Sequence, residues 1–257
     1  MRFFKRTVLA LAALLAGPGL MAMGGDVLGV DWRTASRQPA HIAPDPATTQ
    51  EAVVQVYAAR AFSWRGAFGV HTWISVKPTG APSYTVYQVI GWRLHWDASV
   101  LAIHNGVPDR YWYGKRPELL AELRGAGVDD VIARIDAAAR RYPFRGEYTI
   151  FPGPNSNTFT AWVARQVPEL KLDLPPTAIG KDYLGDKLFS RAPSGTGYQF
   201  SVKGLFGFLA AVEEGLEINF LGLTFGIDPK SLAVKLPGIG RFGLLPQVIP
   251  VKQGAGS

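Results

Sequence analysis

The residues "GVHTWISVK", Gly69 to Lys77, alternate without a break: Val70, Thr72, Ile74 and Val76 fall on one side, His71, Trp73, Ser75 and Lys77 on the other. Successive side chains of an extended chain point to opposite faces, so strict period two commits this stretch to a half-buried β-strand. After the turn "PTGAPS", the segment "YTVYQVIGWRL" is β-branched and aromatic on both faces, as a strand inside a sheet requires. The two strands read as a hairpin, and the rest of the fold has to be built around it.

Before the hairpin, "EAVVQVYAAR" fits a short helix or a strand. After it, "SVLAIHNGVPDRYWYG" reads as two further short strands with a turn at Asn105-Gly106. "PELLAELRG" reads as a helix, with Pro117 at its first position and Gly125 at its end. A second helix is expected in "DDVIARIDAAARRY", where Val131, Ile135 and Ala138 recur at helical spacing. Asp129 and Asp130 at its start and Arg140 and Arg141 at its end complement the helix dipole. "EYTI" reads as a strand, and Phe159, Val163 and Val167 mark a third helix ending before Pro168. Beyond residue 185 short apolar runs are separated by many glycines, a β-meander texture with Glu213 and Glu214 at a hairpin tip. The expected class is α+β: a mixed, mainly antiparallel sheet with three or so helices, plus a C-terminal β-meander.

The chain opens "MRFFKRTVLALAALLAGPGLMAMGG", basic and then apolar, with small residues at its end. Residues 1–24 therefore read as a signal peptide cleaved after Gly24 or, uncleaved, as an N-terminal membrane anchor, which places the protein in the periplasm or on the inner membrane facing it. Residues 25–50 read as a Pro-rich linker with a solvated His41, residues 51–185 as the α+β core domain and 186–257 as the β-rich C-terminal region. The formal charge of +7 falls to +4 without Arg2, Lys5 and Arg6. No basic block follows, so nucleic acid is not the expected partner. With no cysteine in the chain, a disulfide framework, a thiolate metal site and a cysteine nucleophile are all excluded.

The four histidines, at 41, 71, 95 and 104, lack metal-binding spacing, and neither a phosphate-cradling Gly loop nor a G-x-S-x-G elbow is present, so no cofactor is expected. What remains is "FPGPNSNTFTAWV", where Asn155, Ser156 and Asn157 precede a helix and any of them is able to cap it. If Asn155 caps, Ser156 is the first helical residue, in a field worth at most about 2 kcal/mol, too little to ionise an alcohol. A nucleophilic Ser156 thus needs a general base, for which His71 on its strand is the candidate, with Gln88 to hold the imidazole. The ordinary readings are a helix cap for Ser156, a hydrogen-bonded strand histidine for His71 and a buried structural amide for Gln88. His95 and His104 read as surface or packing residues. Trp92, Trp96, Tyr111, Trp112 and Tyr113 either line a groove for glycan or lipid or belong to the core.

In order, "AVVQVYAAR", "HTWISVKP", "YQVIGWR", "PGPNSNTF", "LDLPPTAIGKDYL" and "KLPGIGRFG" resemble the bacterial family known as domain of unknown function 3750. A shorter resemblance is to permuted papain-like proteins, the lecithin retinol acyltransferase-like group, in which a strand histidine precedes a helix opened by an N-C-x-x-F-like motif. "HTWISV" and "NSNTF" match those positions, with Ser156 where cysteine stands. That resemblance implies a papain-like core, His71 as base and Ser156 in the nucleophile position, although oxygen forms no ready equivalent of the thiolate. Two functions follow as expectations: a non-catalytic envelope module binding lipid, glycan or peptide, or a serine-dependent hydrolase or acyltransferase acting on an envelope amide or ester.

Overall fold

The computed structural model describes residues 2–24 and 31–244. The start of the expected linker and the end of the C-terminal region therefore lie outside the described residues. In chain order the elements are α1 (Arg2–Met23), β1 (Val53–Arg60), β2 (Val70–Lys77), β3 (Thr85–Val89), β4 (Leu101–Asn105), β5 (Glu118–Arg124), α2 (Val128–Arg140) and α3 (Ser156–Gln166). The meander follows as β6 (Phe189–Arg191), β7 (Gly197–Val202), β8 (Phe206–Ala211), β9 (Gly215–Phe220), β10 (Leu223–Asp228), β11 (Ala233–Leu236) and β12 (Gly240–Gly243).

Among the described residues the first sheet has five strands in the order β4-β3-β2-β1-β5, and the second has seven in sequence order, β12 back to β6. Every strand pairing in both is antiparallel. The α+β class and the C-terminal meander thus stand as expected, and β2 with β3 is the expected hairpin, in register from Ile74↔Tyr87 to Val76↔Thr85.

Three local expectations are corrected. "PELLAELRG" forms strand β5, which pairs with β1 from Ala58↔Glu118 to Val53↔Arg124. Helix propensities differ by less than about 1 kcal/mol per residue; burial of Leu120, Ala121 and Leu123 and a 2.6 Å hydrogen bond from Gln55 Nε2 to Glu122 Oε1 outweigh them. "EYTI" is not a strand: Thr149 N–H donates to the Pro154 carbonyl at 2.8 Å, which turns the chain into the loop before α3. Of the two short strands expected in "SVLAIHNGVPDRYWYG", only β4 forms, and Arg110 and Trp112 make isolated bridges.

One face of the first sheet, with Val54, Val56, Ile74 and Val76, packs against Ile135 of α2 and Phe159 and Val163 of α3 to form the main core. The opposite face carries a smaller cluster of Tyr57, Trp73, Val86 and Trp112. The Pro-rich segment lies on this second face: Asp109 Oδ2 accepts from the N–H of Ile42 and of Ala43, and Tyr84 donates to the Pro44 carbonyl at 3.0 Å.

The meander meets the core domain through buried charge. Lys235 Nζ donates to Asp173 Oδ1 at 2.6 Å, Glu217 Oε1 at 2.7 Å and the Glu214 carbonyl at 2.9 Å. Lys181 bonds the other Glu217 oxygen, and Asp182 accepts from Gln199 and Asn219, both at 3.2 Å. Arg165, near the end of α3, donates to Gln199 Oε1 at 2.5 Å and to the Lys181 carbonyl at 2.9 Å. Burial alone would push Lys181 and Lys235 down, but the carboxylates around them hold both above the ordinary lysine value. Burial pushes Asp173 up to about 7 against the pull of Lys235. Asp173, Glu217, Lys181 and Lys235 thus form one buried network of ion pairs at the junction.

Candidate functional site

Asn155 is the residue that caps α3, and Ser156 is the first helical position. The Asn155 backbone is extended and its Oδ1 accepts from the N–H of Asn157 at 2.9 Å and of Thr158 at 3.2 Å. Thr158 Oγ1 in turn accepts from the Asn155 N–H at 3.1 Å, closing a capping box. The Asn155 amide donates to the carbonyls of Ile150 and Ile179, both at 3.0 Å. Gly180, at φ +98°, makes room for it: a Cβ there would lie 2.4 Å from Asn155 Nδ2.

The same helix tip rests on both neighbours of His71. Asn157 Nδ2 donates to the Val70 carbonyl at 3.0 Å, and Thr72 Oγ1 lies 3.3 Å from the Ser156 carbonyl, 3.0 Å from Asn157 Oδ1 and 2.8 Å from Thr160 Oγ1. Thr72 faces the helix, so alternation along β2 turns the His71 side chain toward the second cluster. Its ring stacks on Trp112 with centroids 3.7 Å apart and planes 12° from parallel, and on Trp73 at 5.8 Å. The structure therefore brings His71 and Gln88 together on the second face of the sheet, whereas Ser156 stands at the helix tip on the first face, and no hydrogen bond joins His71 to Ser156 among the described residues. The Ser156 hydroxyl makes no hydrogen bond among the described residues, although the residue is only 3% exposed.

Gln88 is where the sequence expects it, holding the imidazole: His71 Nε2 and Gln88 Oε1 are 3.2 Å apart. Gln88 Nε2 reaches His104 Nε2 at 3.1 Å, and His104 Nδ1 lies 3.1 Å from the Asn105 carbonyl. One direction of donation satisfies the whole row, His71 to Gln88 to His104 to carbonyl, and leaves His71 Nδ1 as an acceptor. Burial pushes His71 down to about 3, partly offset by the Gln88 hydrogen bond and reinforced by Arg110. The imidazole is neutral at any physiological pH.

Sequence reasoning missed His104 and Trp112 as members of this site. His104 sits on β4, next to the strand of Gln88, with Gln88↔Ala102 in register, so its side chain falls diagonally beside the amide. That pairing is invisible before the register is known. The aromatic set divides: Trp112 is buried, whereas Trp92 and Trp96 are exposed. A cavity of about 290 Å³ lies elsewhere, between the sheets, lined in part by Arg60, Glu118, Asp173, Lys235 and Arg241, and neither His71 nor Ser156 lines it.

These features define a class: an α+β protein of two antiparallel sheets in which a capped helix tip is docked beside a buried strand histidine. The chain belongs to the family described as protein of unknown function DUF3750, whose model matches residues 51–183, the span holding the first sheet, α2, α3 and all three site candidates. The meander lies beyond that match. No curated protein and no solved structure matches the chain.

Proposed function

We propose that this is a cell-envelope protein, exported or anchored by its N-terminal segment, whose papain-like cleft serves as a non-catalytic binding or structural module. Its ligand classes are envelope lipid, glycan or peptide. The observation that carries this reading is the state of His71: 6% exposed, stacked under Trp112, held near a pKa of about 3 and without a hydrogen bond to Ser156. A general base works best with a pKa near the working pH, and a serine hydroxyl has no nucleophilic form of its own to fall back on. The hydrogen bonds of Asn155, Asn157 and Thr158 serve to fasten the helix tip to β2 at Val70 and to the turn at Ile179 and Gly180.

The second reading, a serine-dependent hydrolase or acyltransferase on an envelope amide or ester, is favoured by one observation. The row from His71 through Gln88 leaves His71 Nδ1 as the acceptor, the polarity a base requires. Ser156 would attack, His71 would take and return its proton, and N–H groups at the helix start would hold the oxyanion. Fluorophosphonate labelling of periplasmic and membrane fractions separates the two. The non-catalytic reading expects no adduct on Ser156; labelling that disappears in Ser156→Ala overturns it.

A further inference from the structure

We propose that the outward face of the C-terminal sheet is a membrane-seating surface, laid against the headgroup and upper acyl region of an anionic lipid bilayer beside α1. The proposal rests on the reading in which the N-terminal segment is retained as an anchor and is independent of whether Ser156 reacts.

The meander is patterned opposite to a water-facing sheet. Its inward positions, among them Gln199, Glu217, Asn219 and Lys235, are polar, buried and bonded to the core domain. The outward positions fall into cross-strand rows. One runs Tyr198, Ala210, Leu216, Ile227, Val234, Phe242 across β7 to β12. The next runs Phe200, Phe208, Ile218, Phe225. No charge interrupts either row, and Arg191 enters only where the first reaches the edge strand β6. Phe208 is 46% exposed and Ile218 50%. An antiparallel sheet with one wet face ordinarily turns its polar residues to the water. Strands about 4.8 Å apart and about 20 Å long give this face a projected area of about 600 Å². That is the upper end for an apolar patch on a soluble monomer, and a patch of this size marks an interaction site.

The neighbour of this face indicates what covers it. α1 is held by the β11–β12 turn at near backbone contact: a Cβ on Gly17 would lie 2.0 Å from the Pro237 oxygen, and one on Gly238 would lie 2.5 Å from Pro18 N. Arg60 anchors the same turn from β1, donating to the carbonyls of Gly238 at 2.6 Å and Ile239 at 2.7 Å. On both sides of that joint α1 also leaves apolar side chains uncovered, with Leu15, Leu20 and Met23 all exposed. Its sequence has no acid, and Arg2, Lys5 and Arg6 stand at its start. A basic residue near an anionic leaflet contributes about 1 kcal/mol. A lipid surface suits the apolar rows and the apolar helix and accounts for the basic end, whereas a second copy docked on the sheet leaves the basic end unexplained. Strands of six residues or fewer are shorter than the roughly 9–11 needed to cross a bilayer, so the sheet lies on the membrane instead of spanning it. Among the described residues no helix is long and apolar enough to cross a membrane.

The absence of cysteine makes the test direct. Phe208→Cys, Ile218→Cys and, as a control on the exposed side of α2, Asp130→Cys are made singly in the full chain and labelled with an environment-sensitive fluorophore. Each is mixed with vesicles of phosphatidylcholine and phosphatidylglycerol and floated. The proposal expects the emission at 208 and 218 to shift to the blue and to be quenched by a lipid-borne nitroxide, with 130 unchanged. It is overturned if the protein does not float, or if it floats while 208 and 218 stay aqueous, since α1 then binds alone. A blue shift without lipid in a protein that sediments as a dimer also overturns it and assigns the face to a second copy.

Discussion

Asn155 makes four side-chain hydrogen bonds, two to the first turn of α3 and two to the carbonyls of Ile150 and Ile179, whereas among the described residues its neighbour Ser156 makes none through its hydroxyl. Loss of a good N-cap costs about 1 kcal/mol, and stranded carbonyls add to it. Asn155→Ala is therefore expected to lower stability by about 2–3 kcal/mol, and Ser156→Ala to change it by less than about 0.5 kcal/mol, both read as shifts of the urea midpoint. His71 and Asp173 give opposite pH dependences. Between about pH 3 and 6.5 the unfolded chain protonates His71 and the folded protein does not, so stability falls as the solution is acidified, by about 1.4 kcal/mol per unit from this group. Between about pH 4 and 7 folded Asp173 keeps a proton that the unfolded chain releases, so its contribution is lost as pH rises. The two slopes oppose each other. Thermal melts of His71→Gln between pH 5 and 6.5 are expected to show stability decreasing with pH relative to the wild type; parallel curves would mean that His71 titrates alike in both states.

At the scale of elements, α3 joins the two halves of the molecule. Its first turn is fastened to β2, and Arg165 near its other end reaches the meander. The meander itself depends on Lys235, whose ammonium faces Asp173 and Glu217 with no exposure of its own. Above about pH 7, where Asp173 is ionised, removing one partner of the buried pair strands the other, at about 3–5 kcal/mol. Lys235→Met is expected to destabilise by that amount and Lys235→Met with Asp173→Asn by less, measured by chemical denaturation; equal losses would show that the pair is not coupled. Among the elements, α2 was readable because its apolar spacing and terminal charges agree, and β2 was readable as a strand because its alternation is unbroken, although it is buried on both faces and not half-buried as the alternation predicts. β5 was not readable: its Leu, Ala and Glu residues favour a helix locally, and only the open edge of β1 makes a strand the better solution.

For the whole molecule, the alternation within β7 to β11 is present in the sequence, but its sense is not. The usual assignment buries the apolar side, and here the charged residues of the core domain claim the polar side instead. That leaves the aromatic rows outward and makes lipid binding through positions 208 and 218 the prediction at this scale. The sequence by itself determined the strands of the central hairpin, the helix after Pro154, the meander, and His71, Ser156 and Gln88 as candidates, because these follow from local periodicity and chemistry. Only the tertiary structure decided that Asn155 is the cap, that His71 faces Trp112 and Gln88, that His104 completes the row, and which side of the meander is wet. Each of these depends on strand register or on burial against a distant segment, and neither is encoded in the spacing of nearby residues.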